Sequence, residues 1–256
     1  MSEEVMMPSG ASPAHHVPEQ LLARRRVWER KRVPRAVYRY WAQLIRAWLP
    51  DDGPYLEVGT GSGTLADYVG SVFQSDIQVA PWLDLVTDIH HLPVQSGRLS
   101  GCLGIDVIHH LADPHAFFTE LARVLRPGGR GIFIEPYVSP LSYPVYRLMH
   151  DEPICFGRYQ EHSTHDDPQQ GNTAMANILF ERERADWPTR HTHLKLVQSR
   201  PFGLFQILAG GFRKHSLLPW PRLLTVLNRS EWVVPQPLMS LLAFRMLVVL
   251  QRSADM

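Results

Sequence analysis

A chain of 256 residues, 45% of them apolar, with 26 basic against 25 acidic side chains, can bury one sizeable α/β core and needs no second domain. Its net charge of +1 gives no overall pull toward nucleic acid or acidic surfaces, which argues against DNA as a partner. Two cysteines, Cys102 and Cys155, leave no room for a disulfide framework or a C-x-x-C zinc motif, and a reducing cytoplasm is the natural setting.

Residues 1–18 carry Ser2, Glu3 and Glu4 ahead of any apolar stretch, unlike a secretory signal, and read as a disordered tail. A helical segment follows over 19–50, with its pattern broken at Pro34. Its first piece gathers Arg24, Arg25, Arg26, Arg30, Lys31, Arg32 and Arg35 against Glu29. Such a face could bind RNA, an anionic membrane surface or an acidic substrate, and a solvated helix face is the preferred reading. The second piece repeats Val37, Tyr38, Trp41, Leu44, Ile45 and Leu49 at three-and-four spacing, a stripe for the core or the roof of a pocket.

Residues 51–256 then read as one domain. Strands are expected at 55–58, up to Asp76, at 83–87, 102–106 and 131–135, with helices at about 64–73 and 115–125. Alternation of this kind builds a mainly parallel sheet covered by helices on both sides. Only about six residues separate Asp76 from the next extended piece, whereas a parallel crossover normally takes a dozen or more, so the third strand or its helix is expected to be reduced. Segments 194–197 and 244–249 look like two last strands. Between them, an apolar insertion at about 203–236, punctuated by glycine and proline, is expected either to form a lid over the carboxyl ends of the strands or simply to pack against the open sheet edge. The apolar run at 237–250 is too short, and is interrupted by Arg245, to span a membrane.

The chemistry concentrates in Tyr55-Leu56-Glu57-Val58-Gly59-Thr60-Gly61-Ser62-Gly63-Thr64. This is a short strand ending in an acid, then glycines at alternate positions that let the backbone turn tightly and present its amides to a ligand. Thr64 stands where a dinucleotide fingerprint would place its third glycine, which argues against NAD. The run resembles motif I of the class I S-adenosylmethionine-dependent methyltransferases. Ser75-Asp76-Ile77, Val86-Thr87-Asp88-Ile89-His90-His91-Leu92-Pro93, the segment Leu103 to Pro114 and Ala122-Arg123-Val124-Leu125-Arg126-Pro127-Gly128-Gly129 follow in the order that this family shows. The likeness covers roughly residues 52–137 and is strongest to the broad group that includes the ubiquinone and menaquinone methylating enzymes.

The resemblance implies a Rossmann-like fold, a mainly parallel seven-stranded sheet whose last strand is antiparallel, and S-adenosyl-L-methionine as cofactor. It implies cofactor contacts from Glu57, Gly59, Thr60, Gly61, Gly63, Asp76, Asp88, Ile89 and Asp106, with Asp76 accepting from the ribose hydroxyls and Asp88 from the adenine amine. Pro81-Trp82 is expected to form a compact turn beside the adenine. The implied reaction is methyl transfer to a small, apolar or aromatic acceptor. His109, His110 and His150 are candidate bases, as are Glu135 and Tyr137. His150, Asp151, Glu152, His162, His165, Asp166 and Asp167 match no compact ligand pattern, so no metal is expected. Two other readings stand beside this one: an inactive cofactor-binding scaffold or regulatory partner, and an RNA methyltransferase guided by the arginine-rich helix. The chain has Asp106-Val107-Ile108-His109 where an N/D-P-P-Y signature would stand.

Overall fold

The computed structural model describes residues 17–150, 152–157, 171–209 and 217–254. Most of the expected tail therefore lies outside the described residues, as do 210–216 of the expected lid and Asp151, His162, His165, Asp166 and Asp167.

Two helices open the structure, α1 (Glu19–Arg30) and α2 (Arg32–Arg46). The break falls at Lys31, whose backbone is extended, and not at Pro34. Pro34 sits in the first turn of α2, where the missing amide hydrogen has no intrahelical partner to lose. The expected stripe is real: Val37, Trp41 and Ile45 are buried, and Tyr38, Leu44 and Leu49 pack against the same cluster.

The sheet has seven strands: β1 (Tyr55–Glu57), β2 (Phe73–Asp76), β3 (Leu85–Val86), β4 (Leu99–Ile105), β5 (Leu125–Pro136), β6 (Leu194–Phe202) and β7 (Arg245–Arg252). Their order across the sheet is β3-β2-β1-β4-β5-β7-β6. The pairs among β1 to β5 are parallel, and β7 runs antiparallel to both neighbours. This is the Rossmann-like α/β architecture that the sequence implies. The third strand is reduced to two residues, and no helix separates it from β2. The first crossover helix is also short: α3 covers only Ala66–Val69, not 64–73, because Gly70 enters the positive-φ region at 98° and ends it.

Helix α4 (Pro114–Val124) shows how local chemistry fixes an element. Asp113 Oδ1 accepts from the Ala116 amide at 2.9 Å, and Pro114 occupies the first helical position. The buried face of α4, Phe117, Phe118 and Leu121, then seats on the sheet, with Phe117 edge-on to Phe133 of β5 at 5.7 Å. Beyond β5 come α5 (Ser142–Met149), a one-turn α6 (Met175–Asn177) and α7 (Trp187–Arg190). Trp187 is a packing residue, its indole donating to the Leu194 carbonyl at 2.8 Å.

The described part of the expected lid holds α8 (Pro221–Ser230), and α9 (Gln236–Leu242) completes the helices. The first half of the apolar run at 237–250 is thus helix, and its second half is the buried β7. Leu224 of α8 and Ala209 join the α2 cluster, and the Tyr40 hydroxyl donates to the Asn228 carbonyl at 2.9 Å. The insertion is therefore fastened to α2. No helix among the described residues is long and apolar enough to cross a membrane.

Asp113→Ala removes the α4 cap and is expected to lower unfolding stability by about 1 kcal/mol. Urea denaturation measures it, and an unchanged midpoint would show that Pro114 and packing alone hold the helix start.

Candidate functional site

Glu57 ends β1, and the chain then bends through three glycines with left-handed φ values, 62° at Gly59, 56° at Gly61 and 68° at Gly63. Side chains rarely adopt this conformation. Two of these positions are also sterically closed. A Cβ at Gly59 would lie 2.6 Å from Val107 Cγ2, and one at Gly63 would lie 2.4 Å from the Trp82 ring. At Gly61 the nearest heavy atom would be the Gly59 carbonyl oxygen at 3.9 Å, so this residue presents bare backbone to open space.

Side chains from three elements fix the bend. Asp76, at the end of β2, accepts from the Gly61 amide through Oδ2 at 2.7 Å and from the Gln78 amide through Oδ1 at 2.9 Å. Trp82 donates its indole N–H to the Gly61 carbonyl at 2.9 Å. Arg25 of α1 donates to the Ser62 carbonyl at 2.9 Å, and its guanidinium lies 4.4 Å from the centre of the Trp82 ring. Trp82 thus packs on the glycine bend, and one member of the arginine-rich face is a structural clamp. Arg25 had no signal of its own as one of seven basic residues in this segment.

Glu57 is buried beneath the bend. Burial pushes its carboxyl up to about 8 and the nearby Asp76 adds to the rise, while Gln74 and Thr60 oppose it. Even so, Glu57 Oε2, Thr60 Oγ1 and Gln74 Nε2 are buried without an aligned hydrogen-bond partner. Buried polar side chains grouped around one backbone turn suit a polar ligand.

Of the other residues to which the resemblance assigns cofactor contacts, Asp88 and Ile89 follow β3 and Asp106 follows β4. Asp88 Oδ1 accepts from the His90 amide at 2.9 Å and pairs with His90 Nδ1 at 2.7 Å. Ile89 is buried, whereas Ile77, just past Asp76, is exposed. Asp106, at the end of β4, has φ 57° and forms an ion pair with Arg245 of β7, whose guanidinium lies 5.0 Å from the centre of the Trp41 ring. The bond joins residues 139 positions apart, and the sequence carried no sign of it.

The three histidines converge on Glu152. His109 is buried, with Nδ1 2.7 Å from Glu135 Oε2 and Nε2 3.3 Å from Glu152 Oε2. Glu135, fully buried at the end of β5, also accepts from the Val107 and Ile108 amides at 3.0 and 2.8 Å. His110 Nε2 and His150 Nδ1 each lie 3.9 Å from a Glu152 oxygen. Burial alone would lower the pKa of His109, but the two carboxylates carry it upward. Tyr137, also considered as a base, donates to Glu181 at 2.8 Å, and burial raises it further.

Residues 56–133 match the family model described as a methyltransferase domain. The chain as a whole has the Rossmann-like fold of the class I methyltransferases. The bare Gly61 backbone and the buried polar side chains beside it fit a polar ligand. A chain of the Haloferax volcanii complex formed by the Trm112 methyltransferase activator is 18% identical, with 93% of this chain and 96% of that one aligned at a TM-score of 0.53. The [4+2]-cyclase SpnF is 13% identical, with 85% and 82% aligned at 0.50. A stretch of 59 residues is 45% identical to an uncharacterized 37.1 kDa protein in transposon TN4556 of Streptomyces fradiae, spanning 22% of this chain and only 17% of that relative.

The buried Glu57 makes a signed prediction. Its folded pKa lies above the unfolded value of 4.5, so its contribution to stability is complete below the unfolded pKa and is lost as pH rises toward about 8. Glu57→Gln is expected to raise Tm by at least about 3 °C near pH 8.5 and to leave it almost unchanged near pH 5. Thermal unfolding at both values checks this; an equal shift at both would show that Glu57 is not protonated in the fold.

Proposed function

We propose that this chain transfers the methyl group of S-adenosylmethionine to a small apolar or aromatic molecule. The observation that carries this reading is the Gly59–Gly63 bend, with bare backbone at Gly61 and carboxylates on the two flanking strand ends. Bound S-adenosylmethionine supplies an electrophilic methyl group on a sulfonium. In this reading Glu57, Thr60 and the bend hold its polar end. Asp76 uses its remaining lone pairs for the ribose hydroxyls, Asp88 accepts from the adenine amine, and Ile77 and Ile89 flank the ring. Asp106, fixed by Arg245, borders the same cleft from β4.

The protein's main contribution is then to hold an acceptor in line with the methyl group and to keep water out, as positioning alone lowers a barrier by several kcal/mol. His109, buried and held through Nδ1 by Glu135, is a positioning residue in this reading. The apolar character of the acceptor rests on the 203–236 insertion and on the exposed Leu217, Trp220, Leu223 and Val226 that it carries. The arginine-rich face gives little support to an RNA substrate, since Arg25 is committed to the glycine bend and Arg35 to the Lys31 carbonyl. The two cysteines, both free, suit a reducing compartment such as the cytoplasm.

Incubation with methyl-labelled S-adenosylmethionine and small-molecule extracts, read by mass spectrometry, is expected to yield a labelled product. Calorimetry is expected to show cofactor affinity falling more than tenfold in Asp76→Ala. Cofactor binding without product from any acceptor would favour a scaffold, and wild-type affinity in Asp76→Ala would remove the ribose assignment.

A further inference from the structure

The cluster at the carboxyl ends of β4 and β5 has the composition of a metal site. Donor atoms of His109, His110 and Glu152 all lie within 4.8 Å of one another. In a tetrahedral centre with bonds of about 2.1 Å, neighbouring donors stand about 3.4 Å apart. The His109 Nε2 to Glu152 Oε2 separation of 3.3 Å already meets this, and His110 Nε2, at 3.9 Å from Glu152 Oε1, is half an ångström away from it.

Three further observations set this cluster apart from an ordinary ion pair. Glu152 Oε2 is buried and has no aligned hydrogen-bond donor, although His109 Nε2 is at ion-pair distance. Next, Glu135 holds His109 Nδ1 at 2.7 Å, which fixes the ring and leaves Nε2 as the outward-facing nitrogen. A carboxylate behind a ligating imidazole is the usual support of protein metal sites. Finally, the backbone covers the cluster at Gly171, where a Cβ would lie 2.9 Å from His110 Nδ1 and 3.0 Å from Glu152 Oε2. Asn172, next in the chain, ties this cover down by donating to the His109 carbonyl at 2.8 Å.

We propose that His109, His110 and Glu152 form a binding site for a divalent transition metal of the zinc class. Two imidazoles and one carboxylate favour such an ion over magnesium or calcium, which prefer all-oxygen sets. Three protein ligands leave at least one position for water or for an acceptor oxygen. The proposal departs from the expectation of no metal, which was drawn from Glu152 with other neighbours along the chain. Spacing along the chain gave no ligand pattern because the fold, not the local sequence, brings residue 152 against residues 109 and 110. The proposal does not depend on methyl transfer.

The test uses the full chain stripped with chelator, titrated with zinc by calorimetry, and then with cobalt, whose visible absorption reports coordination geometry. One equivalent of zinc is expected to bind with Kd at or below about 1 μM and to raise Tm. His110→Ala and Glu152→Gln, both on partly exposed side chains, are expected to weaken binding at least tenfold and to abolish the cobalt spectrum. His191→Ala alters the other close histidine pair, in which His115 Nδ1 lies 2.9 Å from His191 Nε2, and is expected to change neither. No zinc bound by the folded wild type would overturn the proposal, and so would binding that survives both His110→Ala and Glu152→Gln. S-adenosylmethionine affinity measured on the same metal-free protein reports separately on the cofactor site.

Discussion

The structure depends on a backbone constraint, the reversal of the chain at 59–63 through three left-handed glycines. A turn this tight must be stabilised from outside, because it makes few hydrogen bonds of its own, and the molecule supplies them from distant elements. Asp76 holds the Gly61 amide, Trp82 the Gly61 carbonyl and Arg25 the Ser62 carbonyl. Val107 closes the inner side of Gly59. The ends of β2 and β4, the β2–β3 connection and α1 are all registered against one bend. The missing crossover helix before β3 follows the same logic, since a direct connection brings Trp82 back onto Gly63.

A second polar centre stands past Val107. The same residue that touches Gly59 donates its amide to Glu135, so the β4 exit loop carries both the floor of the glycine bend and the histidine pair. One short segment, 106–110, thus links the Arg245 ion pair, the bend and the Glu152 cluster. A cofactor seated on the bend and a group held at the cluster would face the same end of the sheet, where parallel α/β folds bind their ligands.

What the sequence disclosed follows from which constraints are local. The glycine spacing, the strand carboxylates and the α2 stripe are written over a few residues each, so the bend, the mainly parallel sheet and the reduced third strand were legible. Helix limits were less so: nothing at Thr64 or Phe73 stops a helix, and only the backbone at Gly70 does. Pro34 looked like a break because proline usually is one, yet the first turn of α2 accommodates it. The Arg245–Asp106 pair and the meeting of Glu152 with His109 are tertiary events between residues far apart in the chain. Glu152 was singled out, but not together with His109 and His110.

The central claim is that the 59–63 bend is the seat of S-adenosylmethionine. Hydrogen–deuterium exchange with and without saturating S-adenosylhomocysteine tests it most directly. The account predicts slowed exchange at the amides of 60–63, with smaller protection near Asp76 and Asp88. Tight binding that leaves those amides unchanged would contradict it.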